Sequence, residues 1–191
     1  MAAGEKKRIV FLGPPNSGKG TQAVTLAQRL GIPAISTGEM LRAAVTSGSD
    51  LGTRVRSVMA SGQLVDDTLI SEVLEDRIGS SDAHDGYLLD GYPRTAPQAD
   101  TLARILARRG ETLDHVVLID APTEVLARRA LLRGREDDRE DVVRERLEVY
   151  QAQTAPLVER YEAEGLLRRV NGDRTIEEVG RSVLAAVGGE V

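Results

Sequence analysis

The chain has 191 residues, of which 41% are hydrophobic and 29% charged, and its 25 basic and 30 acidic side chains give a formal net charge of −5. This balance is typical of a globular domain and excludes a disordered chain, and the negative charge argues against a nucleic-acid partner, which would require a basic surface. The chain has no cysteine, which excludes disulfides, thiolate zinc ligands and a cysteine nucleophile.

The first eight residues, MAAGEKKR, form a short polar tail without the apolar core of a signal peptide. No apolar run approaches the roughly 18 residues that a membrane-spanning helix requires. We therefore expect a cytoplasmic protein that makes no contact with a membrane.

Strands and helices are predicted to alternate along the chain. Apolar runs predict five strands: Arg8–Leu12, Pro33–Ser36, Tyr87–Asp90, His115–Asp120 and Leu167–Asn171. Helical spacing is found between them, at Gly18–Leu30, Thr68–Ile78, Ala96–Arg109 and Thr123–Leu132. This alternation predicts an α/β fold, a five-stranded parallel sheet with helices on both faces. Ligands of such sheets bind beyond the carboxyl ends of the strands.

Two segments interrupt this alternation. The glycine-containing stretch 37–67 predicts two short helices in a subdomain that could move. The segment 132–140, LRGREDDRE, is a charged connection between two helices. Pro156 falls inside the helical pattern after Asp141, so we expect that helix to kink or restart there.

The glycine-rich stretch GPPNSGKGTQA, residues 13–23, directly follows the first predicted strand. A loop that enters a helix in this way points several backbone N–H groups and the positive end of the helix dipole at one anion. Gly13 and Gly18 allow a close approach, Asn16 tolerates a left-handed conformation, and Lys19 can reach the outer phosphates of a triphosphate. The P-loop pattern places the hydroxyl directly after the lysine, whereas here it arrives one residue later, at Thr21.

The segment STGEMLR, residues 36–42, follows the second predicted strand. Thr37 offers a hydroxyl for a base, and Arg42 offers a planar fork for a second phosphate group. By itself the pattern is more typical of a capped helix start with a surface arginine.

The third predicted strand ends in LLDGYPRT, residues 88–95. A carboxylate at a strand end beside a phosphate loop, here Asp90, is the Walker B arrangement near Mg²⁺. Gly91 and Pro93 predict a tight turn that aims Arg94 at the phosphates, and Gln98 can hydrogen-bond the edge of a base. By itself this segment could also be an ordinary turn at the end of a strand.

Seven arginines lie between residues 128 and 146: Arg128, Arg129, Arg133, Arg135, Arg139, Arg144 and Arg146. Nearby acids nearly cancel their charge, so the segment does not indicate a nucleic-acid surface. For Arg128, Arg139 and Arg144 we predict salt bridges on a solvated helix face. The others could neutralise the charge that spreads over a phosphoryl group during transfer.

These motifs together resemble the adenylate kinase family, whose phosphate loop shares the G-K-G-T-Q ending. The resemblance extends from Ile9 to about Val183 and includes STG, GQLVDD, DGYPRT, RALLRGRED with RERLEVY, and VNGDRTIEEV. It implies a P-loop nucleoside monophosphate kinase that catalyses ATP + AMP ⇌ 2 ADP with Mg²⁺ bound through the phosphates and water. No general base is needed, because the attacking phosphate oxygen is already ionised.

The resemblance also implies the site residues. The catalytic set comprises Lys19, Asp90, Arg94, Arg133, Arg135 and Arg146. The ATP-binding set comprises Asn16, Ser17, Gly18, Lys19, Gly20, Thr21, Arg129, Arg133 and Arg174. The AMP-binding set comprises Thr37, Arg42, Gln63, Leu64, Val65, Gly91, Tyr92, Pro93, Arg94, Gln98, Arg135 and Arg146.

The same resemblance predicts one domain over residues 1–191 that acts as a monomer. Its core would comprise 8–36, 66–131 and 140–188, its monophosphate-binding subdomain 36–65, and its short lid 132–139. Relatives with a long lid sometimes bind zinc through cysteines, so no structural zinc is expected here. Asp137 and Asp138 match the acidic pair that follows the lid.

Two alternatives remain open at this point. One is a kinase for another acceptor, such as UMP, CMP or dephospho-coenzyme A, which Thr37, Gln98 and DGYPRT disfavour. The other is a non-enzymatic P-loop nucleotide switch, for which the sequence has no guanine-selecting motif.

Overall fold

A computed structural model describes residues 7–134 and 139–189, with Arg133 described by its backbone alone. In these ranges no helix is both long and apolar enough to cross a lipid bilayer.

The described residues contain a five-stranded parallel sheet. Its strands are β1 (Lys7–Leu12), β2 (Ala34–Ser36), β3 (Gly86–Asp90), β4 (His115–Asp120) and β5 (Leu167–Asn171). The spatial order is β2-β3-β1-β4-β5, so the loop after β1 leaves the middle of the sheet. Phe11 of β1 pairs with Asp90 of β3, and Ser36 of β2 pairs with the same Asp90. The ends of these strands therefore meet at one edge, as the sequence predicted.

Helices follow the strands. They are α1 (Lys19–Leu30), α2 (Thr37–Ser47), α3 (Asp50–Ser61), α4 (Asp67–Ile78), α5 (Ala96–Arg108), α6 (Thr123–Arg133), α7 (Glu140–Val149), α8 (Pro156–Ala163) and α9 (Ile176–Ala186). Capping residues fix several starts: Thr95 caps α5, and Thr175 with Glu178 forms a reciprocal capping box at α9. The predicted helices agree with these bounds to within one residue.

Two apolar clusters cover the two faces of the sheet. On one face, Val10, Leu89 and Val116 pack with side chains of α4, α5 and α8. On the other face, Phe11 and Val117 pack with side chains of α1 and α9. Alternate residues of β1 thus point into opposite clusters, which confirms helices on both faces and explains why the strand is apolar throughout.

The stretch 37–67 contains the two predicted helices, α2 and α3, packed closely against each other. A Cβ added at Gly52 would lie 2.0 Å from the carbonyl oxygen of Ala44, so only glycine fits at this crossing. Further on, a π-helical turn (Tyr150–Thr154) separates α7 from α8, and Pro156 is the first residue of α8. The prediction that the helix restarts at Pro156 is confirmed, because proline has no N–H and favours a first helical turn.

Candidate active site

A cleft of about 880 Å³ opens at the carboxyl-terminal edge of the sheet. The loop after β1, the start of α2, the turn after β3, and residues from α6, α7 and the turn after β5 all line it. This is the position at which parallel α/β sheets bind ligands.

The backbone of the glycine-rich loop has the predicted strained conformations. Gly13 has φ 142°, and a Cβ there would lie 2.1 Å from the carbonyl oxygen of Ile119. Gly18 has φ 99° and Asn16 has φ 67°, so the left-handed conformation expected of Asn16 is confirmed. The loop ends at the first turn of α1, whose unpaired N–H groups can bind an anion.

Lys19 lies under this loop. Its Nζ donates to the carbonyl oxygens of Gly13 and Pro14, at 2.7 Å each. The ammonium group therefore holds the loop and stands beside the backbone N–H groups that would surround a phosphate.

Asp90 at the end of β3 lies beside the loop. A Cβ on Gly20 would come within 3.6 Å of Asp90 Oδ2, and Asp90 also accepts a hydrogen bond from Ser36 Oγ at 3.4 Å. Thr21 adds a hydroxyl to the cleft. In the described ranges no group of three or more His, Cys, Asp or Glu could hold a metal ion. One carboxylate and one hydroxyl fit Mg²⁺ that keeps water and phosphate ligands, because Mg²⁺ rarely occupies an all-protein cage.

Three arginines converge on the other half of the cleft. Arg94 donates from Nε to the carbonyl oxygen of Gly91 at 2.8 Å. Burial lowers the pKa of Arg94, and the Asp90 carboxylate opposes this shift. The positive charges of Arg146 and Arg42 lower the pKa of Arg94 further. The guanidinium groups are therefore close enough to repel one another, and a phosphate between them would relieve that repulsion.

Arg42 lies across the first turn of α2. Its Nη2 pairs with Glu39 at 2.5 Å, and a Cβ at Gly38 would lie 3.2 Å from the same nitrogen. Glycine at position 38 therefore leaves room for the guanidinium group to lie flat against the helix start.

Among the described residues predicted to bind AMP, all line the cleft except Tyr92. Thr37, Gln63, Leu64 and Val65 are among the lining residues. Tyr92, by contrast, is fully buried in the core, where its hydroxyl contacts Ser71 Oγ at 2.8 Å and donates to the carbonyl oxygen of Gln98 at 3.1 Å. The ring of Tyr92 therefore packs away from the cleft, and the prediction that Tyr92 binds AMP stays a prediction.

Gly91, Pro93 and Gln98 also line the cleft. Gly91 has φ 85°, and a Cβ there would lie 2.7 Å from a guanidinium nitrogen of Arg94. Thr37 Oγ1 donates to the carbonyl oxygen of Gly91 at 2.9 Å, which joins α2 to this turn.

Arg129 joins the glycine-rich loop to the turn after β5. Its guanidinium donates to the carbonyl oxygens of Ser17, at 3.4 Å, and Gly172, at 2.8 Å. Arg174 lies in the same turn and lines the cleft. Both predicted arginines thus lie on the side of the phosphate loop, where a donor nucleotide would bind.

The lid predictions fall partly outside the described residues. Arg135, Asp137 and Asp138 lie outside them, and of Arg133 the backbone alone is described. Surface pairs are present for two of the three arginines predicted to form them, Arg139 with Asp141 at 2.7 Å and Arg144 with Glu140 at 3.2 Å. These exposed pairs contribute little to stability.

Sequence reasoning missed three side chains that hold site residues in place. Asp67 accepts hydrogen bonds from Gln98 and Thr95. Thr154 donates to the carbonyl oxygen of Arg94 at 2.8 Å. Glu145 accepts a hydrogen bond from Gln63. Asp67 stands at the end of the GQLVDD motif, but no local signal indicates its partner 31 residues away.

Comparisons with known proteins agree with this geometry. The adenylate kinase family model matches residues 11–166. The adenylate kinase of Stenotrophomonas maltophilia (strain R551-3) is 48% identical over 186 residues, which cover 95% of this chain and 100% of that protein. Adenylate kinase 1 of Nostoc sp. (strain PCC 7120) is 45% identical over 181 residues, covering 95% of this chain and 98% of the relative. The chain therefore belongs to the adenylate kinase family.

Proposed function

We propose that the protein catalyses the reversible transfer of a phosphoryl group from Mg-ATP to AMP, giving two ADP, and so maintains the balance of adenine nucleotides. Its family membership supports this reaction. The observation that carries the proposal is that two anion-binding sets line one cleft. The loop around Lys19 lies on one side, and Arg42, Arg94 and Arg146 lie on the other.

This arrangement suits a direct transfer between two bound nucleotides. The attacking AMP phosphate oxygen is ionised at neutral pH, so the protein needs to supply alignment and positive charge but no base. Lys19 and the loop N–H groups would bind the donor phosphates, and Arg42 would bind the acceptor phosphate. Arg94 and Arg146, with Arg133 and Arg135, would stabilise the charge that develops on the transferred group.

The base sites are proposed from the same geometry. Arg129 and Arg174, on the donor side, would contact the ATP adenine. Thr37, Gln63, Leu64, Val65 and Gln98 would surround the AMP adenine. Mg²⁺ bound to the ATP phosphates near Asp90 and Thr21 would neutralise phosphate charge.

We further expect a monomer that acts in the cytoplasm, with ATP, AMP and ADP as its partners and without nucleic acid or membrane. We propose that residues 36–65 and 132–139 are its monophosphate subdomain and short lid. Elemental analysis should find no stoichiometric zinc, although turnover should require Mg²⁺.

A coupled assay with ATP and each nucleoside monophosphate tests the proposal. We expect kcat/KM for AMP to exceed that for UMP by at least about a hundredfold, because a base that cannot complete the hydrogen bonds leaves polar groups unpaired. Comparable rates with UMP or CMP would indicate the neighbouring pyrimidine kinases. Nucleotide binding without transfer to any acceptor would indicate a switch.

A further inference from the structure

Two neighbours hold the side-chain amide of Gln98 in one orientation. Its Nε2 donates to Asp67 Oδ1 at 2.6 Å, and its Oε1 accepts the backbone N–H of Arg94 at 2.7 Å. Gln98 is only 2% exposed, yet it lines the cleft. A reversed amide would set oxygen against the carboxylate and nitrogen against an N–H donor, so these two contacts together exclude it.

Asp67 lies in the first turn of α4 and is also linked to Gln98 through Thr95. Its second oxygen, Oδ2, accepts a hydrogen bond from Thr95 Oγ1 at 2.9 Å, and that hydroxyl in turn accepts the backbone N–H of Gln98 at 3.2 Å. The carboxylate thus fixes both the backbone start of α5 and the amide of Gln98. A carboxylate is suited to this task because it has no proton to donate and accepts from both partners.

The fixed amide leaves one N–H of Nε2 and one lone pair of Oε1 for a ligand. This pair complements adenine, which presents a ring-nitrogen acceptor beside an amino donor, and glutamine makes such bidentate contacts with adenine. A 6-oxopurine has a carbonyl oxygen in place of the amino group. Its carbonyl oxygen would face Gln98 Oε1, and two acceptors cannot form a hydrogen bond. An amide that could rotate by 180° would serve either base.

We propose that Asp67 is a positioning residue that sets the acceptor specificity of the enzyme, by locking the Gln98 amide in the orientation that accepts a 6-aminopurine and rejects a 6-oxopurine. The inference rests on the proposed function, since it takes a purine nucleoside monophosphate as the acceptor that Gln98 contacts. Asp67 itself is not among the residues that line the cleft.

The test compares Asp67→Asn with Asp66→Asn, using AMP and inosine monophosphate as acceptors. Both substitutions remove one negative charge from the start of α4, but Asp66 caps the helix through Thr68 and Leu69 and has no contact with Gln98. An asparagine amide at position 67 can present either its oxygen or its nitrogen, so one of the two contacts that fix the Gln98 amide is lost and only the Arg94 N–H still favours the original orientation. We expect the AMP preference in kcat/KM to fall at least about tenfold in Asp67→Asn and to stay within about twofold in Asp66→Asn.

A double-substitution cycle separates positioning from a general structural effect. In the Gln98→Ala background, Asp67→Asn should leave the AMP preference unchanged, because the amide that it orients is gone. Thermal unfolding is measured for each variant. If Asp67→Asn does not fold, Asp67→Ser replaces it, since a hydroxyl also pairs with either end of the amide.

The outcomes distinguish the two proposals. A lower AMP preference that is specific to Asp67 and disappears without Gln98 supports the inference. An Asp67→Asn preference equal to that of Asp66→Asn, in an enzyme that phosphorylates AMP, overturns the inference and leaves the proposed function intact. A wild-type protein that fails to phosphorylate AMP overturns the proposed function.

Discussion

Lys19 combines a structural contact with a role in the proposed chemistry. Its Nζ bridges the carbonyl oxygens of Gly13 and Pro14, which gives the loop its curvature and places a positive charge at the phosphate position. We expect Lys19→Met to lower kcat by at least about 10²-fold, the typical effect of removing one preorganised donor to developing charge. Steady-state assays with saturating ATP and AMP measure this.

A parallel circular-dichroism spectrum checks that the Lys19→Met protein is folded. The substitution leaves the buried side chains of α1, such as Ala23 and Leu26, unchanged, so the helical signal should be retained. A folded variant with unchanged kcat would show that the loop does not bind the transferred phosphate.

At single residues, sequence reasoning succeeded where the backbone of a local motif determines the outcome. Asn16 adopts the left-handed conformation because the loop geometry requires it and its side chain tolerates it. The burial of the Tyr92 ring away from the cleft could not be predicted, because nothing in DGYPRT tells which side of the turn the ring packs on. Asp67 was missed for a related reason, since its partners Thr95 and Gln98 are brought to it by the packing of α4 against α5.

The α2–α3 pair depends on one close backbone contact. Because a Cβ at Gly52 would lie 2.0 Å from the Ala44 carbonyl oxygen, Gly52→Ala must push the two helices apart. Overpacking of this kind costs about 1–3 kcal/mol in the free energy of unfolding. At about 2–4 °C per kcal/mol for a chain of this length, the melting temperature should fall by about 2–12 °C. The KM for AMP should rise, since α2 carries Thr37 and Arg42.

Gly48→Ala is the matched control, measured by the same thermal unfolding. Gly48 ends α2 with φ 67° and has no atom within 4 Å of an added Cβ, so an alanine there adds backbone strain without a clash. A Gly52→Ala protein as stable as Gly48→Ala, with an unchanged KM for AMP, would contradict a close-packed crossing.

At the level of elements, apolar runs were sufficient to predict the strands, and helical spacing was sufficient to predict most helices. The strands are buried on both faces and therefore read as continuous apolar runs, which spacing alone detects. The π-helical turn at Tyr150–Thr154 was not predicted as such, because no residue pattern in the sequence indicates an i→i+5 hydrogen bond such as the one from the Ala155 N–H to the Tyr150 carbonyl oxygen. Pro156 indicated only that the helix must restart nearby.

On the scale of the whole molecule, the sheet separates the cleft from a buried polar cluster at its opposite edge. Arg8, at the start of β1, pairs with Glu111 at 2.9 Å, and Arg109 pairs with the same carboxylate at 3.1 Å. Arg8 also donates its backbone N–H to Asp114 at 2.6 Å. Because Glu111 is only 12% exposed, the loop between α5 and β4 is held to the sheet by charges that water screens weakly.

The ionisation of Glu111 should therefore make stability depend on pH. Burial raises the pKa of Glu111, but hydrogen bonds from Arg8 and Arg109 outweigh it, and the pKa in the folded protein lies below the ordinary value of 4.5. A carboxyl group with a lowered pKa stabilises the folded state fully above its unfolded pKa, and this contribution is lost as the pH falls through the folded pKa. We expect Glu111→Gln to cost about 1–3 kcal/mol of unfolding free energy at pH 7. The difference from wild type should shrink as the pH is lowered below about 4.5.

Urea unfolding at pH 7 and at a series of lower pH values measures this difference. Glu75→Gln is the control: its carboxylate pairs with Arg108 at 2.5 Å but is 49% exposed, so the substitution should change stability by less than about 1 kcal/mol. Since Glu111 lies at the edge away from the cleft, kcat at pH 7 should stay within about twofold of wild type. A Glu111→Gln deficit that persists undiminished at low pH would contradict a role for the charge, because protonated glutamic acid and glutamine are both uncharged and should then give similar stability.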